Sequence, residues 1–182
     1  MKYPLGTKSS NKNINYSNRG MSLEEDINSS NTYYLVNDIA VVHKKPTPIQ
    51  VTKVTYPESI IKEGFFKTPS TTDYNGLYKG KYIDFEAKET KTSSFPIKNI
   101  HPHQIKHLQS IDKHGGISFI IIRFTNLNET YYLETKNLIN FIENETRKSI
   151  PIDYFKKNAH LIKNKYNPLV DYIEVINDIL KG

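Results

Sequence analysis

The chain has no cysteine and no tryptophan among its 182 residues, and only two methionines. Without thiols it has no structural disulfide, no cysteine nucleophile and no zinc site built on thiolates. Any chemistry has to come from carboxylates, amides, hydroxyls, lysines or histidines. No stretch approaches the ~20 apolar residues of a membrane span, and Met1-Lys2-Tyr3-Pro4 leads into polar residues, not an apolar signal core. The expectation is a soluble, cytoplasmic protein with no membrane partner. With 37% hydrophobic and 24% charged residues, the length fits one globular domain.

Acid is scarce relative to base: 19 Asp and Glu face 25 Lys and Arg, giving a net charge of +6 and a pI near 9.2. The excess favours a polyanion such as nucleic acid, although a lysine-rich surface gives the same number. Residues 1–20 hold Lys2, Lys8, Lys12 and Arg19 without one acid, in a Ser- and Asn-rich stretch too poor in apolar side chains to offset the entropy of ordering. This stretch is expected to be a disordered basic arm that tracks phosphates, followed by a single domain over 21–182.

Ser22-Leu23-Glu24-Glu25 has the pattern of a capping box, which predicts a helix from here to about Val36 with Leu23, Ile27 and Tyr34 on one stripe. Glu24, Glu25 and Asp26 suit the positive end of the helix dipole, and Glu24 or Glu25 is also placed to approach a neighbouring metal. Ile39 to Val42 reads as a short buried strand and Gln50 to Tyr56 as another, with the basic, proline-broken His43-Lys44-Lys45-Pro46-Thr47-Pro48 between them. Ile60, Ile61, Phe65 and Phe66 run into Thr68-Pro69-Ser70-Thr71-Thr72, the part expected to be irregular or projecting. Ile117 to Phe124 is a nearly continuous apolar, β-branched run, the pattern of a strand covered on both faces. Thr130 to Leu133 fits a neighbouring strand, Lys136 to Glu143 a helix, and the apolar spacing from Val170 to Leu180 a closing helix. Strands and helices alternate throughout, so the class is α/β.

The chemistry concentrates between Thr71 and Thr90. Along a strand side chains alternate, so Asp84, Glu86 and Lys88 share one face while Ile83, Phe85 and Ala87 pack on the other. Asp73 returns to the charged face across a hairpin, for which Asn75-Gly76 and Lys79-Gly80 both have turn chemistry. Carboxylates beside a lysine are what metal-assisted phosphodiester hydrolysis needs: hard oxygen ligands for Mg²⁺ and a cation near the developing charge. The same spacing also arises on a solvated strand face carrying alternating charges.

Several blocks together resemble one family. Tyr16-Ser17-Asn18-Arg19-Gly20-Met21, His43 to Pro48, Thr71-Thr72-Asp73-Tyr74-Asn75-Gly76, Tyr82 to Thr90, Phe95-Pro96 and His101-Pro102-His103-Gln104 are similar to the RecU family of bacterial Holliday junction resolvases. The likeness extends to about Phe124 and is looser beyond it. It implies a restriction-endonuclease-like α/β fold with a mixed central sheet flanked by helices, a projecting stalk near residues 55–70, and a homodimer. It further implies Mg²⁺-dependent paired nicking of four-way junction DNA during recombination and repair, with Mn²⁺ able to substitute. The resemblance places metal ligands at Thr71, Asp73, Glu86 and Gln104, and the lysine that stabilises the transition state at Lys88. Recombinase and branch-migration proteins are partners suggested by the resemblance alone.

Arg19, Lys44, Lys45, Lys79 and Lys81 are candidate phosphate contacts, and Phe65 and Phe66, less so Tyr33 and Tyr34, candidates for stacking on unpaired bases. His103 and His107 have a chelating spacing on a helix expected from near Pro102, but a Mg²⁺ site does not call for them. Asp84 competes with Glu86 as a ligand, supports it from behind, or is a solvent-facing carboxylate. Two other readings fit the same residues: a sequence-specific restriction-type DNase, and a non-catalytic branched-DNA-binding module.

Overall fold

The structure is a computed structural model that describes residues 22–66 and 71–181. The expected arm and Arg19 lie outside the described residues. In chain order the elements are α1 (Leu23–Val36), β1 (Val41–Lys44), β2 (Ile49–Thr55), β3 (Ile60–Phe66), β4 (Tyr74–Tyr78), β5 (Lys81–Thr90), β6 (Ser94–Pro96), α2 (Pro102–Lys113), β7 (Ile117–Phe124), β8 (Glu129–Glu134), α3 (Thr135–Asn144), β9 (Ser149–Pro151), α4 (Ile152–Asn158), β10 (His160–Ile162) and α5 (Tyr172–Ile179).

Six strands form the central sheet in the order β1-β4-β5-β7-β8-β10. Only β5 and β7 run parallel, joined by the crossover through α2, and every other pairing is antiparallel. This is the mixed α/β sheet flanked by helices that the sequence predicts. β7 is central, as its apolar run requires. Its Phe119 and Ile121 pack with Ile83 and Phe85 of β5 against Leu23, Ile27 and Tyr34 of α1 and Tyr172, Ile173 and Ile176 of α5. Ile120, Ile122 and Phe124 face the other way, toward Leu108 of α2, Leu138 and Phe141 of α3 and Phe155 of α4. Each such fully buried side chain contributes about 1.5–3 kcal/mol of transfer free energy, which anchors β7 between two apolar layers and fixes the β5 strand paired with it.

The capping box forms as the sequence predicts: Ser22 N–H donates to Glu25 Oε2 at 2.9 Å and Glu25 N–H to Ser22 Oγ at 3.3 Å. The first strand is displaced from the expected 39–42 to Val41–Lys44 and so carries His43 and Lys44 into the sheet edge. Between the two candidate turns the structure selects Lys79-Gly80, where φ is 47° and 75°, the double positive value of a two-residue hairpin. Asn75 and Gly76 lie inside β4 instead. There a Cβ on Gly76 would stand 2.3 Å from the Val41 carbonyl oxygen, so glycine permits the close approach of β1.

Of the stretch expected to be irregular, Thr71 and Thr72 lie outside any helix or strand and Thr68 to Ser70 lie outside the described residues, while Ile60 to Phe66 before it is a regular strand. β2 and β3 form a two-stranded antiparallel sheet separate from the central one, with a bulge near Lys53. This hairpin runs from Ile49 to Phe66 and leaves Ile49, Tyr56, Ile60, Ile61 and Phe65 exposed.

Candidate active site

β4 and β5 build the site by register. Tyr74 pairs with Phe85, so Asp73, one residue before β4, stands opposite Glu86. The two residues are linked directly: Asp73 N–H donates to Glu86 Oε2 at 3.1 Å, and Ala87 N–H to Asp73 Oδ2 at 3.4 Å. Lys88, two positions on and on the same face, places its Nζ against Glu86 Oε1 and 3.7 Å from Asp73 Oδ2. The alternation read from the sequence thus brings Asp73, Glu86 and Lys88 together. A cleft of about 250 Å³ opens over Asp73, Ala87 and Lys88, walled by Ser22, Leu23, Glu24 and Glu89.

Glu86 is 0% exposed. Burial, then the facing charge of Asp73, push its carboxyl up to about 7, against the opposing pull of Lys88. Burial pulls Lys88 down, but the hydrogen bond and charge of Glu86, joined by Asp73, outweigh it and leave the ammonium above its ordinary range. Burial and the charges of Glu24, Asp73 and Glu86 raise the Tyr74 phenol, which stays neutral and donates to Asn28 Oδ1 at 3.1 Å. With both carboxylates ionised the corner carries more negative charge than Lys88 offsets, on hard oxygen donors.

Thr71 Oγ1 accepts from Lys45 Nζ at 3.1 Å. Gln104 is buried at the start of α2, where its Oε1 accepts from His101 N–H at 2.9 Å and caps the helix. Among the described residues no three of His, Cys, Asp and Glu gather as a metal cage. His101 and His103 stack on each other at 5.4 Å, while His107 turns to Asp84 instead of pairing with His103 at a chelating spacing.

Asp84 is fully buried, not a solvent-facing carboxylate. It accepts from Thr72 Oγ1, from Lys45 Nζ at 2.7 Å and from Tyr82 OH at 3.0 Å, and its Oδ2 lies 3.2 Å from His107 Nε2. Lys45, a candidate phosphate contact in the sequence, is thus turned inward. The sequence placed Asp84 on the site face but gave no sign of its partners, which come from segments up to 39 residues away.

Of the other candidates, Lys44 pairs with Glu24 at the surface, and Lys79 donates to Asn177 Oδ1 at 2.9 Å. Lys81 is exposed beside it, and Phe65 is exposed on the β2–β3 hairpin. Tyr34 belongs to the core, donating to Asp171 Oδ1 at 2.9 Å, so it is not a stacking platform. Glu25 is occupied by the cap of α1, whereas Glu24 borders the cleft.

Comparison with known proteins adds the family. The chain is 53% identical over 194 residues to a Holliday junction resolvase RecU of Geobacillus sp. (strain WCH70), spanning 98% of this chain and 96% of that one. It is 51% identical over 175 residues to a protein of the same name in Bacillus cereus (strain G9842), spanning 92% of this chain and 88% of the relative. The solved structure of Archaeoglobus fulgidus Hjc, a Holliday junction resolvase, is similar at a TM-score of 0.45 and 12% identity, over 74% of this chain and 89% of that one. The model of one family, described as Recombination protein U, matches residues 18–178, and with relatives at this identity along nearly its whole length the chain belongs to the RecU family.

Proposed function

We propose that this chain is a structure-selective endodeoxyribonuclease that resolves four-way DNA junctions in recombination and repair by nicking two strands as a homodimer. One observation carries the reading: Asp73, Glu86 and Lys88 converge on one sheet face, with Asp73 and Lys88 lining a cleft and Glu86 buried directly against them. That a member of the RecU family retains such a corner favours an enzyme over a binding module.

The corner fits a divalent cation. Two facing carboxylates with surplus negative charge are the hard-oxygen pair by which Mg²⁺ is commonly held, the remaining positions going to water and phosphate oxygens. In this reading Asp73 and Glu86 are the principal ligands. Thr71 supplies its hydroxyl, and Gln104 the second lone pair of a carbonyl oxygen whose first accepts from His101. When bound, Mg²⁺ polarises the scissile phosphate and lowers the pKa of an attacking water, with Mn²⁺ able to do the same. Lys88, partly exposed beside Glu86, is placed to donate to that water or to a phosphate oxygen as negative charge grows in the transition state. The net charge of +6 and exposed cations such as Lys44, Lys79 and Lys81 favour the DNA backbone over base edges as the recognised surface.

The test compares a labelled mobile four-way junction with matched linear duplex, in Mg²⁺ and in EDTA, for the native chain and Asp73→Ala. Symmetric nicking of the junction alone, dependent on metal and lost in the variant, is expected. Cutting of linear duplex at one sequence would move the chain to a restriction-type enzyme. Junction binding without cutting in any metal would leave a binding module.

A further inference from the structure

We propose that Asp84 is a positioning residue: a buried anchor that holds the Thr71–Asp73 segment and α2 in place around the metal-binding corner, without being a ligand itself. The proposal rests on the metal reading of Asp73 and Glu86 given above.

A fully buried carboxylate costs several kcal/mol in lost hydration unless it is paired and hydrogen-bonded on all sides. Asp84 meets that demand with partners from four separate segments: Lys45 after β1, Thr72 before β4, Tyr82 on β5 and His107 on α2. Both oxygens are occupied. Oδ1 takes Thr72, and Oδ2 faces Lys45, Tyr82 and His107. The Lys45 ammonium, 2.7 Å away, holds the position beside Oδ2 that a metal would need. Asp84 is thereby removed from competition with Glu86 despite sharing its strand face.

The partners carry the anchoring to the site. Lys45 grips the Thr71–Asp73 segment three times, its Nζ donating to Thr71 Oγ1 at 3.1 Å and Thr72 Oγ1 at 2.6 Å, and its backbone N–H to the Asp73 carbonyl at 2.8 Å. That segment precedes β4 and contains two of the four proposed ligands. His107 lies one helical turn beyond Gln104, so its contact with Asp84 fixes the turn of α2 that carries a third. Glu86 follows two residues after Asp84 on the same rigid strand. All four donors are thus referenced to one carboxylate, an arrangement by which groups behind the ligands tune metal affinity about 10- to 100-fold.

The experiment titrates Mn²⁺ into the full chain by calorimetry for the native protein, Asp73→Ala, Asp84→Asn and His107→Ala, with a thermal melt of each in EDTA. Asp73→Ala is expected to lose Mn²⁺ binding. Asp84→Asn is expected to bind Mn²⁺ about 10- to 100-fold more weakly and to recover junction cleavage in excess Mn²⁺, which a merely misfolded protein does not. His107→Ala removes one contact at a partly exposed position, so it tests the proposal even where Asp84→Asn does not fold, with a smaller weakening of about threefold or more. Native Mn²⁺ affinity in folded Asp84→Asn or His107→Ala, with binding still lost in Asp73→Ala, would overturn the positioning role alone. No Asp73-dependent Mn²⁺ binding in the native chain would overturn the metal reading and this one with it.

Discussion

Glu86 has no exposed surface and a second carboxylate opposite it, so its protonation couples to folding. Its folded value of about 7 lies above the ordinary 4.5, and the folded chain therefore holds a proton there that the unfolded chain releases. The stability this group contributes is full below about pH 4.5 and is lost as pH rises through about 7. Glu86→Gln removes the buried charge, offset in part by the partner Lys88 loses. Without metal, the variant should melt about 4 °C higher than the native chain at pH 8.5, a gain of ~1–2 kcal/mol that shrinks to about a quarter near pH 5. Melts in EDTA at the two pH values check this, and an equal effect at both would remove the electrostatic origin. Lys88→Ala tests the other sign of charge. Cleavage should fall by about 10²–10³-fold or more, while junction binding in EDTA changes little, as a gel shift reads directly. Equal loss of both would make Lys88 a phosphate contact. Asp73, Glu86 and Lys88 were legible because strand alternation is a local rule. The inward turn of Lys45 was not, because its cause, Asp84, lies 39 residues away and looks like any other strand carboxylate.

At the level of whole elements, the same distinction between local and distant causes decides what the sequence discloses. α1 announced itself through Ser22 and Glu25, α2 through Pro102, and β7 through eight residues of which most are apolar. The three-residue strands β6 and β9 pair with each other across more than fifty residues and carry Pro96 and Pro151, so no periodicity betrays them. The β2–β3 hairpin is a third kind of case. Its second strand, Ile-Ile-Lys-Glu-Gly-Phe-Phe, lacks clean alternation, and from Ile60 to Phe65 both faces are exposed. Gly64 sits where a Cβ would approach Ile49 Cγ2 to 2.9 Å, so the two strands close by omitting a side chain. Exposed apolar residues on a hairpin outside the central sheet are expected to stabilise the body of the fold little. The double variant Ile61→Ser, Phe65→Ser should keep its melting temperature within about 2 °C, since surface changes stay near ±0.5 kcal/mol. It should lose junction cleavage relative to the native chain while binding Mn²⁺ normally. A fall of ten degrees in the melt would show instead that the hairpin packs on the body.

The described residues hold one corner of the proposed kind per chain, and resolving a four-way junction requires cuts in two symmetry-related strands. A two-fold dimer supplies two corners at a fixed separation, whereas one corner would have to release a nicked junction and rebind it. The two schemes part in mixed dimers, prepared by co-expressing two differently tagged chains of which one carries Lys88→Ala. If the dimer is the working unit, sedimentation gives twice the chain mass of 21.1 kDa, and a mixed dimer nicks one strand and stops. Singly nicked junctions then accumulate, and linear duplex products fall to the trace that rebinding in the opposite orientation allows. In excess native dimer the second nick follows, because the nicked junction keeps the branched shape and backbone charge by which it is recognised. Full resolution by mixed dimers at the native rate would mean that one corner makes both cuts, and would remove the reason for pairing the sites at all.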